Sequence, residues 1–364
     1  MTQPLPATDS KAEAGARTRR RVKRVLAYPK DRFRATQPFH ALLAESLEAE
    51  GLTVEEYSPG RCLKQRYDVV HLHHPEKFVT PKLTLRNLAR FGIFFASLWA
   101  QRAKGAKIIW TAHNEGPHEP GHPLLEKLYW RLFLPSVDGV IHLSQTAREI
   151  VERRWPVLRR RPAFVIPHGD FRGAYADTMT RAEARGKLGY GEHERVLVFV
   201  GNVRAYKNVP QLARAFAQLP DPNLRLLIAG RVHTEDLKRE ILAPQDGRIR
   251  LIDEFIDEAD MQLYLKAADL VVLPFRRILN SGSAILALSF DRPVLVADLG
   301  SLRELQEAVG PEWVRLFEGD LTPEVLSDAL GDFLDQPRSD HAPLEALSWS
   351  RIGHGTASAY QSLF

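Results

Sequence analysis

Residues 196–231 read VLVFVGNVRAYKNVPQLARAFAQLPDPNLRLLIAGR. The run rich in Val and Phe that ends at Gly201 predicts a fully buried strand entering a turn. After a short basic loop, Val209, Leu212, Ala213, Phe216 and Leu219 recur at the spacing of one helix face. LRLLIAGR is a second apolar run, again stopped by glycine. Strand, loop, helix and strand make a βαβ unit, whose strands are parallel because the crossover helix covers one face of the sheet. Gly201, Asn202, Arg204 and Lys207 occupy the loop at the first strand's carboxyl end, just ahead of a helix amino terminus. Ligands of open α/β sheets sit at that edge. A helix amino terminus beside Arg and Lys favours an anion, most naturally a phosphate. The plainer reading of the same residues is a solvated basic loop.

Upstream, RVLAYPK, YDVVHLHHPE, KIIWTAHNEGPHEPGHP, GVIHLS and PAFVIPHGD read as strands. Helical stretches such as FHALLAESLEAEG, closed by Gly51, separate them. This alternation predicts a doubly wound parallel sheet over 23–175. The polar segment RAEARGKLGYGEHER reads as a linker, set at 176–195. From Val196 the alternation restarts with VLVFVG, LRLLIAG, IRLID, LVVLPF and RPVLVAD, giving a second α/β domain over 196–344.

A chain of 364 residues accommodates two such domains, each with its own core. Hydrophobic residues at 44% and charged residues at 26% are ordinary for a globular protein. Cys62 is alone, so no disulfide framework or cysteine-based zinc site is expected, and a reducing cytoplasm fits. Residues 1–22 are polar and basic, and are expected to be a disordered tail rather than a secretory signal. FGIFFASLWA, between Arg90 and Arg102, falls short of the roughly 18–20 apolar residues that span a bilayer. Its flanking arginines and Trp99 suit a helix lying on an anionic membrane, and a core helix is the competing reading. The net charge of +5 is dispersed among acidic residues and no nucleic-acid module is recognisable, so nucleic acid is not expected as a partner.

Chemistry concentrates in TAHNEGPHEPGH, which gathers His113, Asn114, Glu115, His118, Glu119 and His122 at the carboxyl end of a strand. An attacking hydroxyl needs a proton acceptor, a role open to His or Glu. Metal ligation competes, although the prolines and glycines leave no helical i, i+4 pair. A loop of merely hydrogen-bonded histidines is the third reading. In HLHHPE, strand alternation puts His71 and His73 on one face, where packing is the expected role.

GNVRAYKN followed by a helix resembles the donor loop of GT-B glycosyltransferases, in the group that includes glycogen synthase and bacterial lipid mannosyltransferases. The resemblance implies an α/β fold of two tandem Rossmann-like domains, a cleft between them, and a last helix crossing back to the first domain. WSRIGHGTASAYQSLF, within 345–364, is the expected crossover helix, although its glycine pair weakens helix propensity. Arg204 and Lys207 would hold the diphosphate of a nucleotide sugar. RLIDEFIDEADMQLYLKAADLVVLPF is similar to the family segment that passes the donor base, which puts Glu254, Phe255 and Ile256 at its border. TAHN resembles the strand end where a histidine contacts the reacting sugar and the acceptor, a role that falls to His113. His118 and Glu119 resemble the His-Glu of some exopolysaccharide mannosyltransferases. Thr36 and Gln37 occupy the usual acceptor-side loop. IPHGD, with His168, resembles a structural stretch lining the cleft.

The chain departs from the family where two glutamates eight residues apart are usual and it reads RRILNSGSAILALSFDRPVLVAD. There Asn280, Ser281, Gly282 and Ser283 stand at a helix amino terminus, where they cap the helix and form a neutral phosphate cradle. A Ser-Gly-Ser loop resembles the β-mannosyltransferase branch of exopolysaccharide enzymes, which invert. Glu304 takes the place of the family's late glutamate, whose contact is the donor ribose; a surface carboxylate is its plainer reading. The expected function is transfer of a mannose- or glucose-type sugar from a nucleoside-diphosphate sugar to a glycan, such as a lipid-linked exopolysaccharide precursor. His113 or Glu119 would be the catalytic base, with no metal and no cofactor beyond the donor. A cytoplasmic enzyme, peripheral on the inner face of the plasma membrane, is the matching location. The alternative, prompted by the missing glutamates, is a non-catalytic nucleotide-sugar-binding relative.

Overall fold

The computed structural model describes residues 21–34, 37–78, 84–114 and 122–364. Most of the expected basic tail, and Thr36, His118 and Glu119, therefore lie outside the described residues. The first half builds β1 (Arg24–Tyr28), β2 (Thr53–Glu56), β3 (Val69–Leu72), β4 (Lys107–Ala112), β5 (Gly139–His142) and β6 (Ala163–Val165). The second builds β7 (Arg195–Val200), β8 (Leu224–Ala229), β9 (Ile249–Ile252), β10 (Leu270–Leu273), β11 (Val294–Ala297) and β12 (Val314–Phe317). They form two six-stranded sheets, ordered β2-β1-β3-β4-β5-β6 and β12-β11-β10-β7-β8-β9. Every ladder is parallel. These are two Rossmann-like α/β domains in tandem. Strand order reverses between β1 and β3 in one sheet and between β7 and β10 in the other, and such switch points open the crevices where ligands bind.

The anchor unit forms as its sequence dictates. β7 pairs β8 in parallel register from Arg195 opposite Leu224 to Val200 opposite Ala229. The crossover helix Val209–Ala217 buries Val209, Leu212, Ala213 and Phe216 on the sheet. Each such side chain contributes about 1.5–3 kcal/mol by leaving water. The stretch expected as linker differs: Arg181–Leu188 is a helix with a Thr180–Glu183 capping box. Its Ala184 and Leu188 sit in the second domain's core. Its interior alternation is too sparse to announce a helix, and two apolar anchors with a good cap suffice to dock it.

Trp349–Gln361 is helical throughout and returns to the first domain, where Ile352, Ala359 and Tyr360 join that domain's core. A Cβ at Gly353 would lie 2.8 Å from Ser46. Glycine thus costs about 1 kcal/mol of helix propensity and permits contact with the helix Phe39–Ala49. The helix Leu85–Ala103 buries Phe91, Phe94, Phe95 and Leu98. Its other face leaves Ile93 and Trp99 about half exposed, at 52% and 49%. Among the described residues no helix is long and apolar enough to cross a membrane.

Candidate active site

A cavity of about 1170 Å³ lies where the carboxyl edges of the two sheets meet. On the β7 side the backbone turns at Gly201, with φ of +119°, beside Gly230 at +143°. A Cβ on Gly230 would fall 2.2 Å from the Gly201 carbonyl oxygen, so only glycine lets the two strand ends approach. Lys207 Nζ lies 3.4 Å from where a Gly201 Cβ would be. It sits within 5.6 Å and 5.7 Å of the Phe199 and Phe275 ring centres, and no ion pair to a carboxylate among the described residues balances it. Burial, and then neighbouring Arg204, push its amine down to about 8. A half-buried cation in this state is stabilised by an incoming anion.

The helix Gly282–Ser289 points its amino terminus at the same cavity, with Asn280, Ser281, Gly282 and Ser283 in the wall. The Ser281 hydroxyl accepts the Ala284 N–H at 3.2 Å and caps the helix. The Gly282 and Ser283 amides precede the first intrahelical bonds and remain available to an anion.

The opposite wall is made of imidazoles. His113 follows β4, His74 follows β3, His40 lies in the helix Phe39–Ala49 and His168 follows β6, with buried His73 beside them. His73 Nδ1 and His113 Nε2 share a hydrogen bond of 3.1 Å. His74 stacks on His113 with ring centres 4.7 Å apart. Phe39 packs against the cluster, edge-on to His113 at 5.2 Å and 4.4 Å from His168. Burial, reinforced by neighbouring imidazoles, holds His40, His73 and His113 well below the ordinary histidine range, and burial lowers His168 to about 4. His40, His73, His113 and His168 are therefore neutral at physiological pH. Both ring nitrogens of His40 are buried without a hydrogen-bond partner, a state that costs about 1–3 kcal/mol per unsatisfied group. Asn280 reaches across the cleft and donates from Nδ2 to the His113 carbonyl at 3.2 Å.

Residues 194–336 match the family model described as glycosyl transferases group 1, and residues 5–169 match glycosyltransferase family 4. A GDP-mannose:glycolipid 4-beta-D-mannosyltransferase of Xanthomonas campestris pv. campestris is 31% identical over 325 residues, which covers 87% of this chain and 86% of that one. The chain is a GT-B glycosyltransferase. Solved structures agree on the fold. A sucrose-phosphate synthase from Thermosynechococcus elongatus superposes with a TM-score of 0.61 at 18% identity, covering 94% of this chain and 95% of that one. A glycosyltransferase from Rickettsia africae gives 0.64 at 13% identity, covering 94% and 98%.

In this glycosyltransferase, Gly201, Asn202, Arg204, Lys207 and Phe255 line one side of the cavity, and Gln37, His113 and Asn114 line the other. Glu254 and Glu304 are absent from its described lining. Glu304 instead accepts the backbone N–H groups of Gln145 and Thr146 at 2.8 Å and 2.7 Å. There its charge meets the positive end of the helix Gln145–Arg154 and ties the two domains together. Sequence reading missed His40; it read His168 as a structural residue lining the cleft, and His168 does line the cavity. No sequence spacing links residues 40, 73, 74, 113 and 168; only the sheet's carboxyl edge collects them.

Proposed function

We propose that this glycosyltransferase moves mannose from GDP-mannose to a hydroxyl of a glycolipid, inverting the anomeric centre to give a β-linked product. The supporting observation is one cleft with an unbalanced cation and free helix amides on one wall and neutral imidazoles on the other. The relative with 31% identity supplies the donor and acceptor class. Arg204, Lys207 and the Gly282 and Ser283 amides take the diphosphate, and Phe255 borders the base. The acceptor oxygen attacks the anomeric carbon while the bond to the diphosphate oxygen breaks. The proton of the acceptor hydroxyl passes to His113 or to Glu119. The cations stabilise the leaving diphosphate electrostatically, where charge develops. No cofactor beyond the donor is assigned.

The acceptor class fits a cytoplasmic enzyme held at the inner membrane face. Leu85, Ile93, Trp99 and Leu124 are exposed on the first domain, and an apolar surface of this kind suits the lipid interface. Incubating purified protein with GDP-mannose and a glycolipid bearing a free 4-hydroxyl should yield GDP and a β-mannosylated lipid, read by mass spectrometry and NMR. Product from UDP-glucose but not GDP-mannose would overturn the donor. Release of free mannose without transfer, across a panel of glycolipids, would overturn the acceptor.

A further inference from the structure

The imidazole wall holds more ligating capacity than a single general base uses. His40, His74 and His113 each offer a ring nitrogen, and the three nitrogens lie within 4.8 Å of one another. In a tetrahedral zinc site with Zn–N bonds of about 2.0–2.1 Å the nitrogens stand about 3.3 Å apart. Closing each gap by up to about 1.5 Å requires His74 to turn out of its stack on His113 as the metal binds. His40 provides the independent sign of a missing ligand: it is 4% exposed and neither ring nitrogen has a partner. The other two rings each have one nitrogen already engaged. His74 Nδ1 meets Glu76 Oε1 at 3.3 Å, and His113 Nε2 meets His73 Nδ1 at 3.1 Å. A histidine ligand braced by a carboxylate or another polar group is the usual supporting arrangement around a bound metal.

We propose that His40, His74 and His113 form a site for a transition-metal dication, Zn²⁺ first among them, whose occupation competes with the acceptor. Three imidazoles leave a fourth coordination position open toward the cavity. Among the described residues the donor wall contributes no ligand, so the metal acts as an inhibitor of the acceptor side and not as a cofactor of transfer. The competition rests on His113 serving the acceptor; the binding itself does not.

Calorimetric titration of metal-free protein with ZnCl₂, in the absence of sugar donor, tests the binding separately from catalysis. One Zn²⁺ per chain is expected, lost in His40→Gln and in His74→Gln. Glu76→Gln leaves all three ligands in place and should weaken binding about 10–100-fold, the usual effect of losing a ligand's support. Each variant is first checked for wild-type GDP affinity and circular dichroism, which establishes that it is folded. No stoichiometric binding to wild-type protein, or binding that survives both histidine substitutions, overturns the site. Saturating Zn²⁺ that leaves the acceptor KM and turnover unchanged overturns the competition, and with it the placement of the acceptor at His113.

Discussion

The two walls of the cleft solve opposite electrostatic problems. The second domain presents Lys207 without a balancing carboxylate and a helix amino terminus with open amides. The first domain presents histidines kept neutral by burial. A doubly charged ligand gains on the first of these walls and nothing on the second, whereas a polyol needs hydrogen bonds and a proton acceptor rather than cations. Under the proposed function, two sheets of the same architecture would divide one reaction between different side chains at their carboxyl edges.

The division predicts separable defects. The largest is expected for His113→Ala, which should lower turnover about 100–10,000-fold, the usual worth of a general acid–base group. Steady-state assays with GDP-mannose and glycolipid would show it. Unchanged turnover would remove proton transfer from this wall and leave it to Glu119 or to another group. Next in size is Arg204→Ala. Loss of one charge-assisted contact is worth about 1.5–3 kcal/mol, so the KM for the sugar donor should rise roughly 10–150-fold with the acceptor KM unaffected. An equal rise in both would blur the two walls into one site.

A pH titration sharpens the contrast. The Lys207 amine, at about 8 in the free protein, is held protonated by a bound diphosphate. GDP affinity should therefore fall as pH rises through 8, and Lys207→Ala should flatten that fall. The same group acts on folding in the opposite direction. Its folded-state value lies below the unfolded 10.5, so between about 8 and 10.5 the unfolded chain binds more protons. Its contribution to the stability of the ligand-free protein accordingly improves as pH rises across that window. A GDP affinity that is level from pH 7 to 9 would contradict this role for Lys207.

The smallest effect concerns the link between the walls. Asn280→Ala deletes the hydrogen bond to the His113 carbonyl, worth about 0.5–1.5 kcal/mol. Calorimetric melting should show a drop of a few degrees at most. A loss comparable to a core truncation would mean that Asn280 carries the domain interface.

Much of this was legible in the sequence, for a physical reason. Strands buried on both faces are continuous apolar runs, as in VLVFV, LRLLIA and LVVL, and they announce themselves without alternation. The second-domain side of the cavity was equally readable because its lining comes from two short contiguous loops, GNVRAYKN and NSGS. The edge strands β2 and β12 escaped because TVEE and VRLF are four residues long and carry charge on their exposed sides. The imidazole wall escaped in part because tertiary folding assembles it. His40 comes from a helix start and nothing in its sequence neighbourhood marks the cleft, whereas HLHHPE reads as a strand end and IPHGD, with His168, as a stretch lining the cleft. Glu304 shows another limit. Its position in the chain suggested a ligand contact, but a helix amino terminus in the other domain lies within reach and takes the carboxylate.

The division between the walls is tested most directly by titrating GDP calorimetrically into wild-type protein, His113→Ala and Lys207→Ala under one set of conditions. The account predicts that His113→Ala binds GDP as wild type does, while Lys207→Ala binds roughly 10–150-fold more weakly, the worth of one charge-assisted contact. The reverse pattern, with affinity lost in His113→Ala and kept in Lys207→Ala, would put the diphosphate on the imidazole wall and contradict the account.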